Sequence, residues 1–518
     1  MERLAAPTGG VWNLMPARRI CSLLFLLGFG ATRPLPAQTS GSWVEEQVAS
    51  WYPMAHKLAR GRWGVAVADQ QGKILWSVNL DVPFVPASTV KLLTTGFARA
   101  MVGGDARRDT RVIGVGQLSD AGEWKGVWWL ELNGDVTLER LPGTGPMFRD
   151  LAVQLRLMGI RQLRGPLELA SQAGAADATY PAVWSPKHRG RSFAPLVGPL
   201  MFHENIVLVG VSPGSKAGSR AVLVSASPRG LASMVTVRAM TRSGRRTRLS
   251  LRQGSDGRLV VNGTIGTRSR YRTLLATMVN PKQVLEAVWA QALKDEGIEW
   301  DRTGTNRAMT SDASRVLAEV QSAVFDSVAS EVNRRSLNPG AELLLQWAAG
   351  RGDSASARLT AHVGSITGMP EAVHLVDGSG LSYENRVTPH AFINYLARYP
   401  LTPSGRALPM LLPANGSGTL HKLSSGLPGA GVVRAKTGTL AQVTNVVGYL
   451  GRPNGVLLIA LMYEGPRPLA ARQAEWRLFR ILGADGVLIP SDSFILDDVQ
   501  LGGDSDSLGT VVEDTTGP

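Results

Sequence analysis

A serine and a lysine three residues apart are the first candidates for nucleophilic chemistry. Ser88 and Lys91 lie in the stretch Pro-Ala-Ser-Thr-Val-Lys-Leu-Leu, which reads as the start of a helix. Residues i and i+3 of a helix share one face, so the Lys91 amine can reach the Ser88 hydroxyl. A serine attacks when a neighbouring base takes its proton, and lysine can be that base when burial or a nearby cation lowers its pKa. We therefore predict Ser88 as a nucleophile and Lys91 as its base.

Two further motifs favour a catalytic role for this pair. Ser88-x-x-Lys91 is the only Ser-x-x-Lys of the chain, but alone such a pattern commonly marks a helix start with a solvated lysine. Here it is followed by Ser336-Leu337-Asn338 and then by Lys436-Thr437-Gly438-Thr439. Ser-x-x-Lys, Ser-x-Asn and Lys-Thr-Gly in this order are typical of penicillin-binding proteins and serine β-lactamases.

Composition limits the other classes. The 518 residues suffice for two to four domains, and the formal charge of +14 raises the question of nucleic acid. The sequence contains no zinc-finger, RNA-recognition or helix-turn-helix signature, so we expect no nucleic-acid partner; an anionic envelope or wall suits the charge equally well. The seven histidines lack metal-ligand spacing. We expect neither a metal nor a cofactor.

The N-terminal residues 1–37 read as an export signal. Arg18 and Arg19 precede an apolar run over 20–31 that is short for a membrane span, and Ala37 offers a cleavage site. An uncleaved anchor is the alternative. Cys21, the only cysteine, lies inside this signal, and no later run of the sequence reaches transmembrane length. We predict an exported protein that is periplasmic or otherwise extracytoplasmic, with no transmembrane span in the mature chain.

Periodicity predicts an α+β core around these motifs. A helix is expected over 42–60, and strands over 63–69 and 73–80 form a hairpin that leads directly to Ser88. After the second motif we expect a helix over 339–347 and a turn-rich loop of structural role over 377–382. The third motif should begin strands that continue over 446–450 and 455–463, and a helix over 470–482 closes the core.

Ser336 follows Ser88 by 248 positions, and this separation requires an insert. Strand-like runs occur there at 126–133, 205–211, 221–227, 234–240 and 248–262, with a helix over 281–296 capped by Asn280. Dense arginines over 238–272 are interpreted as a solvated strand face. We predict a catalytic domain from 38–100 and 310–490, β-rich inserted domains over 101–309, and an acidic, disordered tail over 491–518.

With these motifs the chain resembles the D-alanyl-D-alanine carboxypeptidase/endopeptidases, the class C low-molecular-mass penicillin-binding proteins, over about residues 45–485. The resemblance extends to Gly134-Asp135-Val136-Thr137-Leu138, Phe193-Ala194-Pro195 with 200–205, and 377–382 with Asn385-Arg386. It implies a transpeptidase-like core, an antiparallel sheet flanked by helices, that carries one or two inserted β-rich domains. The long insert distinguishes this family from the β-lactamases.

The resemblance also implies a role for each motif residue. Ser88 would be acylated with Lys91 as base, and Ser336 would relay a proton to the leaving amine. Asn338 would hold the substrate backbone, Lys436 would be a second cation that helps to keep Lys91 neutral, and Thr437, Gly438 and Thr439 would bind substrate, the two threonines through its terminal carboxylate. The N–H groups of Ser88 and Thr439 would form the oxyanion hole. Peptidoglycan stem peptides would be the substrates and β-lactams the inhibitors.

The sequence departs from the family at the second motif. Leu337 stands where the family often has aspartate, and Pro339 and Gly340 follow where bulkier residues are expected. A non-catalytic wall-binding relative, or a β-lactamase or esterase on the same core, are therefore kept as alternatives. A metal hydrolase is disfavoured by the histidine spacing. The sequence does not specify oligomeric state, the preferred cross-link or the balance of carboxypeptidase and endopeptidase action.

Overall fold

The computed structural model describes residues 40–140, 145–254, 256–308 and 313–489. The predicted signal and acidic tail lie outside the described residues. The α-helices found in these ranges are α1 Ser40–Leu58, α2 Val90–Val102, α3 Phe148–Leu157, α4 Pro281–Asp295, α5 Phe325–Arg335, α6 Asn338–Ala349, α7 Asp353–Thr367, α8 Pro389–Arg398, α9 Leu408–Leu411 and α10 Pro468–Leu482. In this part of the chain, no helix is both long and apolar enough to cross a membrane.

The strands form six sheets within the same ranges. Those in the first third of the chain are β1 Arg62–Ala68, β2 Ile74–Val78, β3 Asp109–Leu118, β4 Trp124–Glu131, β5 Gln162–Arg164 and β6 Leu169–Ala170. Those that follow up to residue 277 are β7 Ile206–Ser212, β8 Val222–Ser227, β9 Val235–Val237, β10 Met240–Arg242, β11 Arg248–Gln253, β12 Leu259–Gly266 and β13 Arg272–Thr277. The remainder are β14 Glu299–Asp301, β15 Arg315–Gln321, β16 Val373–His374, β17 Arg386–Val387, β18 Val433–Leu440, β19 Val443–Arg452 and β20 Gly455–Glu464.

A five-stranded antiparallel sheet joins the two ends of the described chain. Its strand order is β18-β19-β20-β1-β2, and β1 pairs with β20 in the register Val65↔Leu461. Successive side chains of a strand point to opposite faces. Val65 and Val67 therefore pack towards α1 and α10, whereas Ala66 and Ala68 pack towards the helices that include α2 and α8. Helices on both faces confirm the predicted α+β core with an antiparallel sheet.

The segment between α2 and α5 builds its own sheets. These have the orders β15-β3-β4-β6, β13-β7-β8, β10-β12-β11 with β9 beside β12, and β14-β5. One hydrophobic core, which includes Trp124, Trp128 and Trp289, lies beneath them. Since β15 pairs with β3 in the register Val316↔Ile113, we propose that the insert predicted for 101–309 continues to residue 321.

Local expectations succeed where the pattern is strong. The helix predicted over 281–296 is α4, and the Asn280 side chain accepts the Gln283 N–H at its N-terminus. The single strand predicted over 234–240 is divided in the structure: β9 ends at Val237, β10 begins at Met240, and the N–H groups of Arg238 and Ala239 between them both donate to the Val261 carbonyl. The segment 248–262 forms two antiparallel strands, β11 and β12.

Candidate active site

The predicted nucleophile lies in a tightly packed turn at the start of α2. Ser88 is half-buried in a short 3-10 helix, Ala87–Thr89, that runs directly into α2. Ala87 has φ of 48°, a left-handed conformation that is unfavourable for a residue with a Cβ. Gly438 and Gly380 press against this turn: a Cβ on Gly438 would lie 2.6 Å from the Pro86 oxygen, and one on Gly380 would lie 1.8 Å from that of Ala87. The surrounding structure thus holds the serine in place.

A buried asparagine fixes the residues before the serine. Asn445 on β19 donates to the carbonyls of Val85 and Pro86 at 2.9 and 2.7 Å, and its own oxygen accepts the Tyr463 N–H at 3.1 Å. Its side chain is fully buried, so these bonds form in a low-dielectric environment. Asn445 was not predicted as a site residue. Its role depends on contacts with residues about 360 positions away, and the sequence alone does not reveal such contacts.

Lys91 reaches Ser88 as predicted. Its Nζ donates to Ser88 Oγ at 3.0 Å, to Asn338 Oδ1 at 2.6 Å and to the Ser379 carbonyl at 2.6 Å. The side chain is fully buried. Three oxygen partners fix the position of the amine, and one of them is the hydroxyl that it would deprotonate.

The second motif lies at the corner between two helices. Ser336 ends α5 in a left-handed conformation, with φ of 59° and ψ of 42°, and Leu337 precedes the first residue of α6. Asn338 bridges Lys91 and the Phe193 carbonyl, to which its Nδ2 donates at 2.8 Å. Pro339 occupies the first turn of α6, where no intrahelical N–H bond is required of it. The residues that depart from the family pattern thus leave Asn338 in contact with Lys91.

Lys436 connects the second motif with the third. Its Nζ donates to Ser336 Oγ at 3.0 Å and to the Thr437 carbonyl at 2.8 Å. Thr437 is buried, whereas Thr439 is exposed near the end of β18, which is the terminal strand of its sheet. A terminal strand offers unpaired backbone groups to an extended peptide. The structure therefore places two hydrogen-bonded groups beside this edge: Ser88 and Asn338 are bonded to Lys91, and Ser336 is bonded to Lys436.

Burial dominates the electrostatics of the two lysines. Loss of solvation lowers the pKa of Lys91 to about 7, although Asp377 and Glu342 oppose the shift. The pKa of Lys436 is also lowered well below its ordinary value, first by burial and then by repulsion from Lys91 and Arg472. The lowered pKa of Lys91 thus arises mainly from burial rather than from the charge on Lys436. Near neutral pH a substantial fraction of Lys91 is uncharged and able to accept a proton.

Two buried carboxylates hold the loop that contacts Lys91. Glu342 on α6 accepts the N–H groups of Ser379 and Gly378 at 2.9 and 3.2 Å, and Asp377 accepts those of Gly380 and Ser382 at 2.7 and 2.8 Å. Burial raises the pKa of both carboxyls, to about 7 for Glu342. The 377–382 loop, for which a structural role is predicted, supplies the Ser379 carbonyl that accepts a hydrogen bond from Lys91.

Glu342→Gln is expected to move the pH dependence of acylation to lower pH. Lys91 must be uncharged to act as base, so acylation should rise with pH through the Lys91 pKa near 7. The Glu342 charge raises that pKa, and its removal lowers it. The acylation rate constant for a chromogenic β-lactam, measured across the neutral range, tests this. Glu342→Asp, which keeps the charge, is the control; an unchanged profile in Glu342→Gln would contradict the coupling.

A half-buried arginine beside the third motif could not be predicted from the sequence. Arg472 on α10 donates to the Gly438 carbonyl at 2.8 Å and lies 3.3 Å from Thr439 Oγ1. Its other terminal nitrogen is 2.7 Å from a carboxylate oxygen of the fully buried Glu475, without pointing its N–H at that oxygen. An arginine on an amphipathic helix gives no local signal of this contact. Its guanidinium lies at the end of β18 where the substrate carboxylate is predicted to bind.

Replacing this ion pair by Arg472→Gln with Glu475→Gln is expected to weaken carboxylate recognition. Charged hydrogen bonds contribute enough that we expect KM for a D-Ala-D-Ala peptide to rise about 10-fold while kcat changes little. The double change avoids leaving a buried carboxylate unpaired. Arg477→Gln, exposed on the same helix, is the matched control. An equal rise in KM for a peptide with an amidated C-terminus would contradict a role in binding the carboxylate.

The chain is similar to known proteins over most of its length. The model of the D-Ala-D-Ala carboxypeptidase 3 (S13) family matches residues 44–482. A D-alanyl-D-alanine carboxypeptidase from Actinomadura sp. strain R39 is 26% identical over 437 residues, covering 79% of this chain and 80% of its own. Carboxypeptidase DacB of Mycolicibacterium smegmatis is 27% identical, covering 77% and 75%. The crystal structure of penicillin binding protein 4 from Haemophilus influenzae has a TM-score of 0.67 at 19% identity, covering 83% of this chain and 98% of its own, and shares the fold.

Proposed function

The chain belongs to the D-Ala-D-Ala carboxypeptidase 3 (S13) family, and from that premise we propose how its residues act in a serine D-Ala-D-Ala carboxypeptidase. The substrate is a peptidoglycan stem peptide that ends in D-Ala-D-Ala. Its extended backbone pairs with the edge of β18 near Thr439, beyond the bridge between Ala414 and Arg434, and its terminal carboxylate meets Thr437, Thr439 and the guanidinium of Arg472. This places the last peptide bond above Ser88.

Acylation begins with proton transfer from Ser88 to uncharged Lys91. The Ser88 oxygen attacks the carbonyl carbon of the penultimate D-alanine, and the negative charge that develops on the carbonyl oxygen is bound by the backbone N–H groups of Ser88 and Thr439. The C–N bond then breaks. Ser336, which accepts a hydrogen bond from Lys436, passes its proton to the leaving amine and is reprotonated by the proton that Lys91 took from Ser88, so Lys91 is again uncharged when D-alanine departs.

Water completes the cycle by hydrolysing the Ser88 ester. The released peptide carries a new carboxylate, and Ser88 regains its proton. The same acyl-enzyme forms when the leaving amine belongs to a side chain of a second stem peptide, so we propose endopeptidase action on cross-links as well. Export by the predicted signal would bring the enzyme to the extracytoplasmic compartment where this substrate lies.

The contact between Lys91 Nζ and Ser88 Oγ carries this proposal. It joins a 3.0 Å hydrogen bond to full burial of the amine and a pKa near 7, the combination that general-base catalysis requires. A solvated lysine at a helix start would have neither the full burial nor the lowered pKa. The contact therefore favours a catalytic protein over a non-catalytic wall-binding relative.

A β-lactam is expected to form a long-lived adduct on this enzyme. Rapid release of a penicilloyl group needs a second base that holds water near the ester. The buried carboxylates beside Lys91, those of Glu342 and Asp377, accept backbone N–H groups of the 377–382 loop instead. We therefore expect the adduct to persist for minutes or longer, whereas D-alanine is released from wall peptides with multiple turnovers.

One protein preparation can test both outcomes. Penicillin hydrolysis is followed beside the release of D-alanine from a muropeptide pentapeptide and of monomers from a cross-linked dimer. Release of wall products with a stable adduct is the expected result. Fast, multiple-turnover penicillin hydrolysis without either wall product would favour a β-lactamase. Silence in every assay with Ser88 unlabelled would favour a wall-binding relative.

A further inference from the structure

The insert carries a dense set of unpaired arginines. Between residues 238 and 272 there are ten arginines, no lysine and a single acidic residue, Asp256. All ten are exposed: Arg238, Arg242, Arg245, Arg246, Arg248, Arg252, Arg258, Arg268, Arg270 and Arg272. None of them forms an ion pair with any other described residue, whereas Arg111, Arg140 and Arg335 elsewhere are paired with carboxylates. This surface therefore presents concentrated positive charge that the fold itself does not neutralise.

Strand register places four of these arginines on one face of the β10-β12-β11 sheet. Along β11, Arg248 and Arg252 are exposed while Leu249 and Leu251 between them face inward. Met240 on β10 and Arg248 on β11 both pair with Thr264 of β12, so their side chains lie on the same face of the sheet. Arg238 and Arg242 lie two residues before and after Met240 and share its face, while Ala239 and Thr241 between them are buried. The opposite face carries the fully buried Val261 and Ile265. Only the inner face is thus required for the hydrophobic core.

Exposed apolar side chains border the same face. Val222, Val224, Met240 and Tyr271 are 51%, 55%, 38% and 46% exposed. The start of β8 runs alongside β10, because the Ala221 N–H donates to the Ala239 carbonyl at 2.8 Å and Arg220 pairs with Met240. The Tyr271 hydroxyl lies 2.8 Å from Ser225 Oγ on β8, which brings the tyrosine to the same group. Arginines and large apolar side chains therefore form one continuous patch.

We propose that this patch, the arginine face of 238–272 with its apolar border, docks the enzyme onto an anionic phospholipid bilayer. Guanidinium groups bind lipid phosphates in bidentate fashion, and several basic residues at a surface add their attraction. Tyrosine is favoured at the depth of lipid headgroups, and the valines and methionine enter the acyl boundary. A soluble polyanion would satisfy the arginines but would leave the apolar border in water. The charge and the border together thus favour a bilayer.

Vesicle binding by the full-length protein tests this proposal. Sedimentation with phosphatidylcholine vesicles that contain about 30% phosphatidylglycerol is compared with pure phosphatidylcholine. We expect binding to the anionic vesicles alone, and weaker binding at high salt. The combined change Arg238→Gln, Arg248→Gln and Arg252→Gln should reduce partitioning about 100-fold. Arg307→Gln, Arg406→Gln and Arg477→Gln remove equal charge from exposed sites elsewhere and should alter it only a few-fold.

A second variant separates a bilayer from a soluble polyanion. Val222→Ser with Val224→Ser keeps every charge, and it should weaken vesicle binding while leaving affinity for heparin unchanged. If the two triple arginine variants lose vesicle binding equally, binding depends only on net charge, and the proposal is overturned. Unchanged vesicle binding in the valine variant would overturn it in favour of a soluble polymer. Thermal unfolding confirms that each variant is folded, and no readout depends on catalysis.

Discussion

Ser88→Ala is expected to abolish covalent labelling by penicillin and to reduce D-alanine release at least about 1,000-fold. The Ser88 hydroxyl is the group that would be acylated, and it accepts a hydrogen bond from Lys91 Nζ at the start of α2. The loss should therefore appear in the mass of the intact protein, which gains the mass of the drug only when Ser88 is present. The change removes one oxygen from a half-buried position, so folding should be preserved.

Ser379→Ala is the matched control for this experiment. Ser379 lies beside Lys91 but contacts it through its main-chain carbonyl, which the substitution keeps. Labelling should persist in this variant. Full stoichiometric labelling of Ser88→Ala would instead show that another residue is acylated, and the assignment of the nucleophile would be wrong.

Lys91→Arg is expected to slow acylation about 100-fold or more, the scale of general-base catalysis. Arginine retains positive charge but stays protonated, so it cannot take the Ser88 proton. Its larger, planar group must also occupy a fully buried space that now holds the Lys91 amine between Ser88, Asn338 and the Ser379 carbonyl. Because arginine does not titrate in the accessible range, raising the pH should not restore the rate.

The rate of β-lactam acylation measures this effect directly. Lys73→Arg, at an exposed turn position, provides the same chemical exchange outside the cluster and should leave the rate unchanged. If Lys91→Arg acylates within a few-fold of the natural protein, Lys91 is not the base, and the proton must leave Ser88 by another route.

The sequence predicts the chemistry of the site better than its geometry. Three short motifs contain Ser88, Lys91, Ser336, Asn338 and Lys436, and each motif can be recognised in the sequence because its residues are close along the chain. The packing that brings the three motifs together cannot be seen there. Arg472 and Asn445 escape detection, since each acts only through contacts with residues distant along the chain. The left-handed turn at Ala87 is equally invisible, because alanine favours helix and only the neighbouring segments impose this conformation.

Secondary structure follows the same division. The helix α5 was not predicted, because Val328, Ser330 and Val332 have modest helix propensity and its stability comes from burial of Phe325 and Val332 against other helices. The central sheet was predicted more closely, since β19 and β20 contain long apolar runs flanked by turn signals. Tertiary packing thus decides the elements whose local preference is weak.

The pairing of β1 with β20 has a consequence for how the protein is made. The ribosome synthesises β1 almost 400 residues before β20, so the edge of β1 that pairs with β20 stays unpaired until Glu464 has emerged. The insert, whose strands lie between residues 109 and 321, can assemble its own core in the meantime. A chain that stops before β20 would hold Ser88, Lys91 and Lys436 without the sheet that aligns them. Premature termination should therefore yield a folded insert without activity, rather than an enzyme of reduced efficiency.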